Sequence, residues 1–242
     1  MENTDDRRDL AAALRFTARL GLNESIANHY SLAVSDDGLR FLINPFGRHW
    51  SMMRASDLVE IDIRDDSGAG AGVGDVVDPT AMAIHGALHK NVPHARCVMH
   101  LHSKYATALA CLEDPTLPPI DQNTMRFYNR IAIDTGFDGM GLGEEAERLG
   151  RQLGKHSVMV MGNHGILVVG PTVAKCFDEI YYFERAAETY LTALATGRPL
   201  KRVSDEVAEK TARQWKDYPS FAEKHLAAIR EILDAEEPEY RI

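Results

Sequence analysis

The sequence predicts an α/β sandwich built on a largely antiparallel sheet. Three observations carry that expectation. Short alternating runs pair up across turn signals as hairpins do. Helical patterns separate them without a regular βαβ alternation. The chain of 242 residues is 45% hydrophobic, enough to bury a full core in one domain.

Leu10, Ala13, Leu14, Thr17 and Leu20 recur at helical spacing from Asp5 to Leu20, and Gly21 is a C-terminal stop. Tyr30 to Val34, the turn Ser35-Asp36-Asp37-Gly38, and Leu39 to Ile43 form a predicted hairpin. Val59 to Ile63 alternates as a further strand. Arg64 to Asp75, rich in glycine and aspartate, is expected to be a flexible loop. Asp78-Pro79 pairs a cap with proline at the first helical position, and Pro93 closes that helix. Ser103 to Leu112 is a predicted helix, and Ile131 to Asp134 a short strand. Thr172 to Ala195 is a long amphipathic helix with Val173, Phe177, Ile180, Tyr181, Ala187, Tyr190, Leu191 and Leu194 as its core stripe. Charge density rises from Lys201, and Glu236 to Ile242 is expected to be a tail.

The chemistry concentrates in histidines. The run from Ala95 to His102 alternates as a strand, so Val98, His100 and His102 share one face and Cys97, Met99 and Leu101 the other. Residues two apart on a strand lie roughly 6.5 Å apart, close enough for two imidazoles to converge on one cation. His164 stands between Asn163 and Gly165 in a strand–turn–strand segment, and glycines on both sides allow the chain to turn sharply there. Three nitrogen ligands without a fourth protein ligand describe an open, potentially catalytic metal site. One such histidine would more simply be a packed core residue; two on one strand face with a third on a turn favour the metal.

Bulk properties narrow the function. A net charge of −9 argues against nucleic acid as a partner. No apolar run reaches the length of a membrane span and no signal peptide pattern opens the chain, so no membrane partner is expected. Cys97, Cys111 and Cys176 are odd in number and scattered, which fits a reduced, cytoplasmic protein.

Leu20-Gly21-Leu22-Asn23, Ala27-Asn28-His29-Tyr30-Ser31, Leu42-Ile43-Asn44-Pro45-Phe46-Gly47, the helix from Asp78, His100-x-His102 and Asn163-His164-Gly165 occur in that order. Together they resemble the class II aldolase/adducin family over roughly residues 5 to 200. The resemblance implies a three-layer α/β/α sandwich over 1–242, with 201–242 as a helical extension and tail. It also implies one divalent metal per chain on His100, His102 and His164. Zinc is the family's usual ion; iron, manganese and cobalt remain open. A homotetramer with active sites near subunit interfaces is implied as well.

Departures from the family pattern point to substrate. Sugar-phosphate aldolases of the family place an acid/base Glu where this chain has Ala81, and a proton-transfer Tyr near Gln122. Their phosphate-binding Asn is kept as Asn28, but a Thr becomes Phe46 and paired Ser become Pro79 and Thr80. The substrate-binding set is therefore Asn28, Asn44, Phe46, Thr80 and Gln122. Arg126 is a candidate to bind a carboxylate, and Tyr128 and His85 are candidates for proton transfer; an interface ion pair, a packed ring and a helix-packing imidazole are their respective alternatives. His49 and Trp50 suit an aromatic wall or plain packing, and Glu144, Glu145 and Glu147 a solvated helix face.

The expected function is a metal-dependent carbon–carbon lyase acting through a metal-stabilised enolate. Its substrate is a small, non-phosphorylated acid, expected to be aromatic or otherwise apolar. Decarboxylation ranks before retro-aldol cleavage, because loss of CO₂ needs no base at the Ala81 position. A non-haem Fe(II) oxygenase on the same three histidines is the alternative, followed by a non-catalytic adducin-like interaction module.

Overall fold

The structure is a computed structural model that describes residues 2–64, 76–139, 142 and 144–242. Except for Arg64, the glycine-rich loop expected at Arg64 to Asp75 lies outside the described residues. Among the described residues, eight α-helices and seven strands follow one another. They are α1 (Thr4–Arg19), β1 (His29–Ala33), β2 (Arg40–Ile43), β3 (Val59–Asp62), α2 (Pro79–Asn91), β4 (Cys97–Leu101), α3 (Lys104–Ala110), α4 (Gln122–Arg126), β5 (Ile131–Asp134), α5 (Glu144–Leu153), β6 (Val158–Met161), β7 (Gly165–Gly170), α6 (Val173–Ala195), α7 (Asp205–Lys216) and α8 (Phe221–Glu236).

The strands form one sheet in the order β3-β2-β1-β4-β7-β6-β5. Every pairing is antiparallel except β5 with β6. That parallel pair needs a crossover, which α5 supplies, so one βαβ unit stands at the edge of an otherwise antiparallel sheet.

Alternation along β4 sorts the two faces. Cys97, Met99 and Leu101 pack with Leu10 and Leu14 of α1, Leu109 of α3, Phe177 of α6 and Leu226 of α8. Val98 turns the other way, onto Ile84 and Leu88 of α2 and Leu149 and Leu153 of α5. Helices thus cover both faces, giving the three layers.

Local sequence explains the helix starts. The Asp78 carboxylate accepts from the Thr80 N–H at 2.8 Å, with Pro79 behind it. Thr172 caps α6 by accepting from Lys175 N–H. Helix α3 has no side-chain cap of its own. Buried Glu184, far along α6, accepts from the N–H groups of Tyr105 and Ala106 at 2.8 and 2.9 Å and from the Ser103 hydroxyl. A carboxylate at a helix N-terminus is favoured by the helix dipole, and this one locks the segment directly after His102.

Two expectations need correction. In the stripe on α6, Val173, Phe177, Ile180 and Ala187 are buried and Tyr181 is half-buried, but Leu194 is 42% exposed. From Glu188 to Ala195 every residue of α6 is half-buried or exposed. The segment expected as a tail is docked: it forms a short 3₁₀ turn at Pro238–Arg241, and Tyr240 is wholly buried. Its phenol donates to Asp234 at 2.8 Å, and Glu237 and Glu239 accept from buried Arg15. Charge density suggested solvation, but the carboxylates satisfy an arginine that the α1 face could not otherwise bury.

Replacing Tyr240 with Ala removes a fully buried ring and should lower stability by about 3 kcal/mol, read as a lower urea midpoint with an intact fold at 25 °C. A solvated tail would show no change.

Candidate metal centre

The two motif histidines sit at the end of β4 and just beyond it. The register sets His29 of β1 opposite His100, and Leu167 of β7 on its other side. Directly paired residues project to the same face, so His29 joins His100 above the sheet. His164 reaches the same place from the short connection between β6 and β7, where Met161 pairs with Gly165.

The turn is made differently from the sequence expectation. Asn163, with φ of 57°, takes the left-handed conformation. Gly165 is needed for close approach instead: a Cβ there would stand 2.3 Å from the Leu101 carbonyl oxygen and 3.0 Å from the His102 ring.

The ring centroids of His100, His102 and His164 lie 4.8 Å apart in all three pairs. One nitrogen from each can be chosen so that all lie within 4.8 Å of one another. Hydrogen bonds decide which nitrogens face inward. His100 Nδ1 donates to the Ile166 carbonyl at 3.0 Å, and His102 Nδ1 donates to Glu24 at 2.6 Å. In neutral rings both Nε2 atoms are then bare, and they stand 3.0 Å apart. Two lone pairs held this close repel unless a cation lies between them. The donor set, three neutral imidazoles with outer hydrogen-bond partners on two of them, fits a divalent transition metal.

Burial favours the neutral form of His100, His164 and the neighbouring His29. It holds His100 well below the usual imidazole range, with the neighbouring imidazoles adding to the effect. It pushes His164 down to about 4, again ahead of the repulsion from His102. His29 is pushed down to about 4, chiefly by burial.

The three rings open onto a cavity of about 400 Å³. Asn28, Thr80 and Thr107 line it, with Glu24 and Asp78 at its polar edge and Ile84 and Phe137 as apolar wall. Among the described residues no Lys or Arg lines it. Asn28 holds φ of 78°, its Oδ1 accepts from the Glu24 N–H, and its buried Nδ2 has no partner among the described residues. The Thr107 hydroxyl is likewise buried without a partner there.

Other expected site residues lie elsewhere. Asn44 is buried behind Asn28, where its side chain accepts from Tyr30 N–H and ties two strands together. Phe46 is 46% exposed and is not part of the cavity wall. Gln122 belongs to a separate cavity of about 860 Å³ against α7. Arg126 is buried and already bound: it pairs with Asp178 and Glu179 and stacks on Tyr182 and Trp215. Two carboxylates already hold this guanidinium through Nη2, while its buried Nη1 has no hydrogen-bond partner among the described residues. Tyr128 lies outside the cavity, its phenol bonded to Asp205, which raises its pKa. His85 is wholly buried and stands behind His29 rather than in the cavity. Trp50 is core, packed on Tyr30, while His49 is exposed and caps the turn at Ser51. Glu145 is buried and accepts from the Asp138 N–H, against the exposure expected of it, whereas Glu147 is exposed as expected.

Several cavity residues had no assigned role in the sequence, among them His29, Glu24, Ile84, Thr107 and Phe137. His29 carried a usable signal. It alternates with Ser31 on β1 just as His100 does with Val98 on β4, and His85 and His89 recur four apart on the helix that follows.

Residues 8–191 match the model of the class II aldolase and adducin N-terminal domain. The chain belongs to this family. A solved aldolase II superfamily protein from Pseudomonas syringae superposes with a TM-score of 0.88 at 30% identity, covering 100% of this chain and 96% of that one. The decarboxylase NovR of Streptomyces niveus is 28% identical over 93% of this chain and 86% of its own. The 4-hydroxy-3-prenylphenylpyruvate oxygenase/4-hydroxy-3-prenylbenzoate synthase of Streptomyces roseochromogenus is 27% identical over 90% and 80%. No helix of the described residues is long and apolar enough to cross a membrane.

Burial of His89, which pushes its pKa down to about 4, has a measurable consequence. Above pH 6.5 the imidazole is neutral in both folded and unfolded chains and contributes nothing. As pH falls below 6.5 the unfolded chain takes up the proton first, so stability drops until the folded ring protonates near 4. His89→Gln should remove about 2 kcal/mol of the stability lost between about pH 6.5 and 5, measured by urea unfolding. An unchanged pH slope would show that His89 is not buried neutral.

Proposed function

We propose that this chain is a divalent-metal-dependent carbon–carbon lyase acting on a small, non-phosphorylated, carboxylate-bearing substrate, with decarboxylation ranked before retro-aldol cleavage. The observation that carries it is the cavity beside the three-histidine cluster, which offers neutral donors and an apolar wall but, among the described residues, no Lys or Arg for a phosphate dianion. The similarity to NovR supports decarboxylation.

His100, His102 and His164 would hold the ion, and a bound divalent ion supplies the Lewis acidity that holds negative charge building on a substrate oxygen. Glu24 fixes the tautomer and orientation of His102 from behind. Asn28 Nδ2 and the Thr107 hydroxyl are available to hydrogen-bond substrate oxygens, and Thr80 borders the same space. Phe137, whose ring lies 5.9 Å from His164, and Ile84 give an aromatic or aliphatic body somewhere to lie. His29, which lines the cavity, moves the proton. When CO₂ leaves, the bonding pair stays on carbon. A proton that His29 takes from a substrate hydroxyl or from water, and then passes on, completes the C–H bond. The Ala81 position, buried in the apolar core, therefore does not leave the cavity without a proton-transfer group.

Protein purified without added metal should contain about one divalent ion per chain by elemental analysis. His102→Ala should abolish retention, and Glu24→Gln should weaken affinity by roughly 10- to 100-fold. A protein that cannot be loaded with Zn²⁺, Mn²⁺, Co²⁺ or Fe²⁺ would overturn the proposal.

A non-haem iron oxygenase is the second candidate, favoured by similarity to the Streptomyces roseochromogenus enzyme and by a donor set of three imidazoles. Oxygen separates the two. The lyase should release CO₂ or an aldehyde from aromatic hydroxy or keto acids anaerobically with Zn²⁺, Mn²⁺ or Co²⁺. Strict dependence on Fe²⁺ and O₂ would establish the oxygenase instead.

A further inference from the structure

Behind the cavity, four buried side chains line up between β1 and α2. His29 Nδ1 stands 3.3 Å from His85 Nε2, and His85 Nδ1 stands 2.5 Å from the Ser31 hydroxyl. That hydroxyl lies 2.7 Å from His89 Nε2, and His89 Nδ1 ends the series 2.7 Å from the Ala95 carbonyl oxygen. All four residues are at least nine-tenths buried: Ser31 and His85 are 0% exposed, His89 6% and His29 7%. Strand alternation puts His29 and Ser31 on one face, and helical spacing puts His85 and His89 above them.

We infer that this series is a one-way hydrogen-bond chain that presents His29 to the metal cavity with its Nε2 unprotonated, making Ser31 and His89 positioning residues for the reaction. The inference rests on the reading that His29 faces substrate; the chain's direction does not. A backbone carbonyl can only accept, so His89 must carry its proton on Nδ1. A neutral His89 then has a bare Nε2, which must accept from the Ser31 hydroxyl. With its single proton so used, Ser31 can only accept, and His85 must donate from Nδ1. The bare Nε2 of His85 in turn accepts from His29 Nδ1–H. Each link admits one arrangement once the rings are neutral, and burial holds both His85 and His89 below the usual imidazole range.

The terminal nitrogen is the one that matters. His29 lines the cavity together with His100, His102 and His164, and its Nδ1 is committed to His85. Its Nε2 is thus left as an acceptor beside the substrate space. An isolated neutral histidine divides its proton between the two nitrogens. Here a carbonyl three side chains away makes that choice. The chain is also cooperative, since each donor is polarised by the bond behind it. Removing an inner link therefore reaches the cavity without touching any residue that lines it.

The experiment is two-bond ¹H–¹⁵N correlation spectroscopy of the full-length, histidine-labelled protein loaded with Zn²⁺. His29, His85 and His89 should each appear as the Nδ1–H tautomer. Ser31→Ala deletes the central hydroxyl and should turn the single-tautomer signals of His29 and His85 into mixtures, with zinc content unchanged at about one per chain. Ser31→Thr restores a hydroxyl and should restore the signals. On a substrate that is turned over, Ser31→Ala should lower kcat by roughly tenfold or more while Ser31→Thr recovers most of it. An Nε2–H signal for His29 or His89 in the unmodified protein would overturn the inference. So would a His29 tautomer indifferent to Ser31→Ala. If the tautomers appear as expected and no acid is turned over, the chain stands and the lyase proposal falls. Turnover with a contrary tautomer pattern would keep the lyase and overturn the chain.

Discussion

The site depends on the antiparallel pairing of β1 with β4. In that ladder His29 faces His100 and Ser31 faces Val98, so one register fixes both the neighbour of a metal-type ligand and the hydroxyl behind it. A slip of one residue would turn His29 and Ser31 toward α1 and α6 and bring Tyr30 and Leu32 to the cavity side. The large apolar cluster beneath the sheet, which includes Tyr30 and Leu32, opposes that slip. Packing on one face therefore secures polar geometry on the other.

Low polarity around the histidines does the rest. Imidazoles gathered this closely would be protonated in part and mutually repelled in water. Burial penalises the charged form ahead of every other cause at His29, His100 and His164, which keeps nitrogen lone pairs available to a cation. Among the described residues, cationic side chains are held away from the cavity. Arg126, which closes the short helix α4 beyond the motif, is neutralised by Asp178 and Glu179, and Asp178 also accepts from His225. That cluster joins α4 to α6 and α8. It anchors the C-terminal helices.

The same division of labour appears at Glu184 and Glu24. Each is a carboxylate whose neighbour in space lies far along the chain. Glu184 secures the start of α3 directly after His102, while Glu24 holds the ring of His102 itself. One fixes the backbone that carries the ligand and the other fixes the ligand's nitrogen.

Whatever a period of two or 3.6 residues can encode was legible along the chain. The strand His-x-His, the capped helix at Asp78-Pro79 and the hairpin could be read because each depends on near neighbours. Ordered motifs carried the family and with it the layered fold. Which polar residues share a cavity was not written locally. Arg126 and Tyr128 follow the motif helix in sequence yet turn away, because Asp178 and Asp205 lie on helices whose packing no local pattern reports. His29 sits between an expected substrate residue and a strand core, and its place beside His100 in the cavity was decided by the pairing of β1 with β4. The docked 3₁₀ turn at Tyr240 has the same origin: its partner Arg15 lies on α1, at the opposite end of the chain. Local periodicity fixes which face a side chain takes, whereas long-range pairing fixes what that face meets.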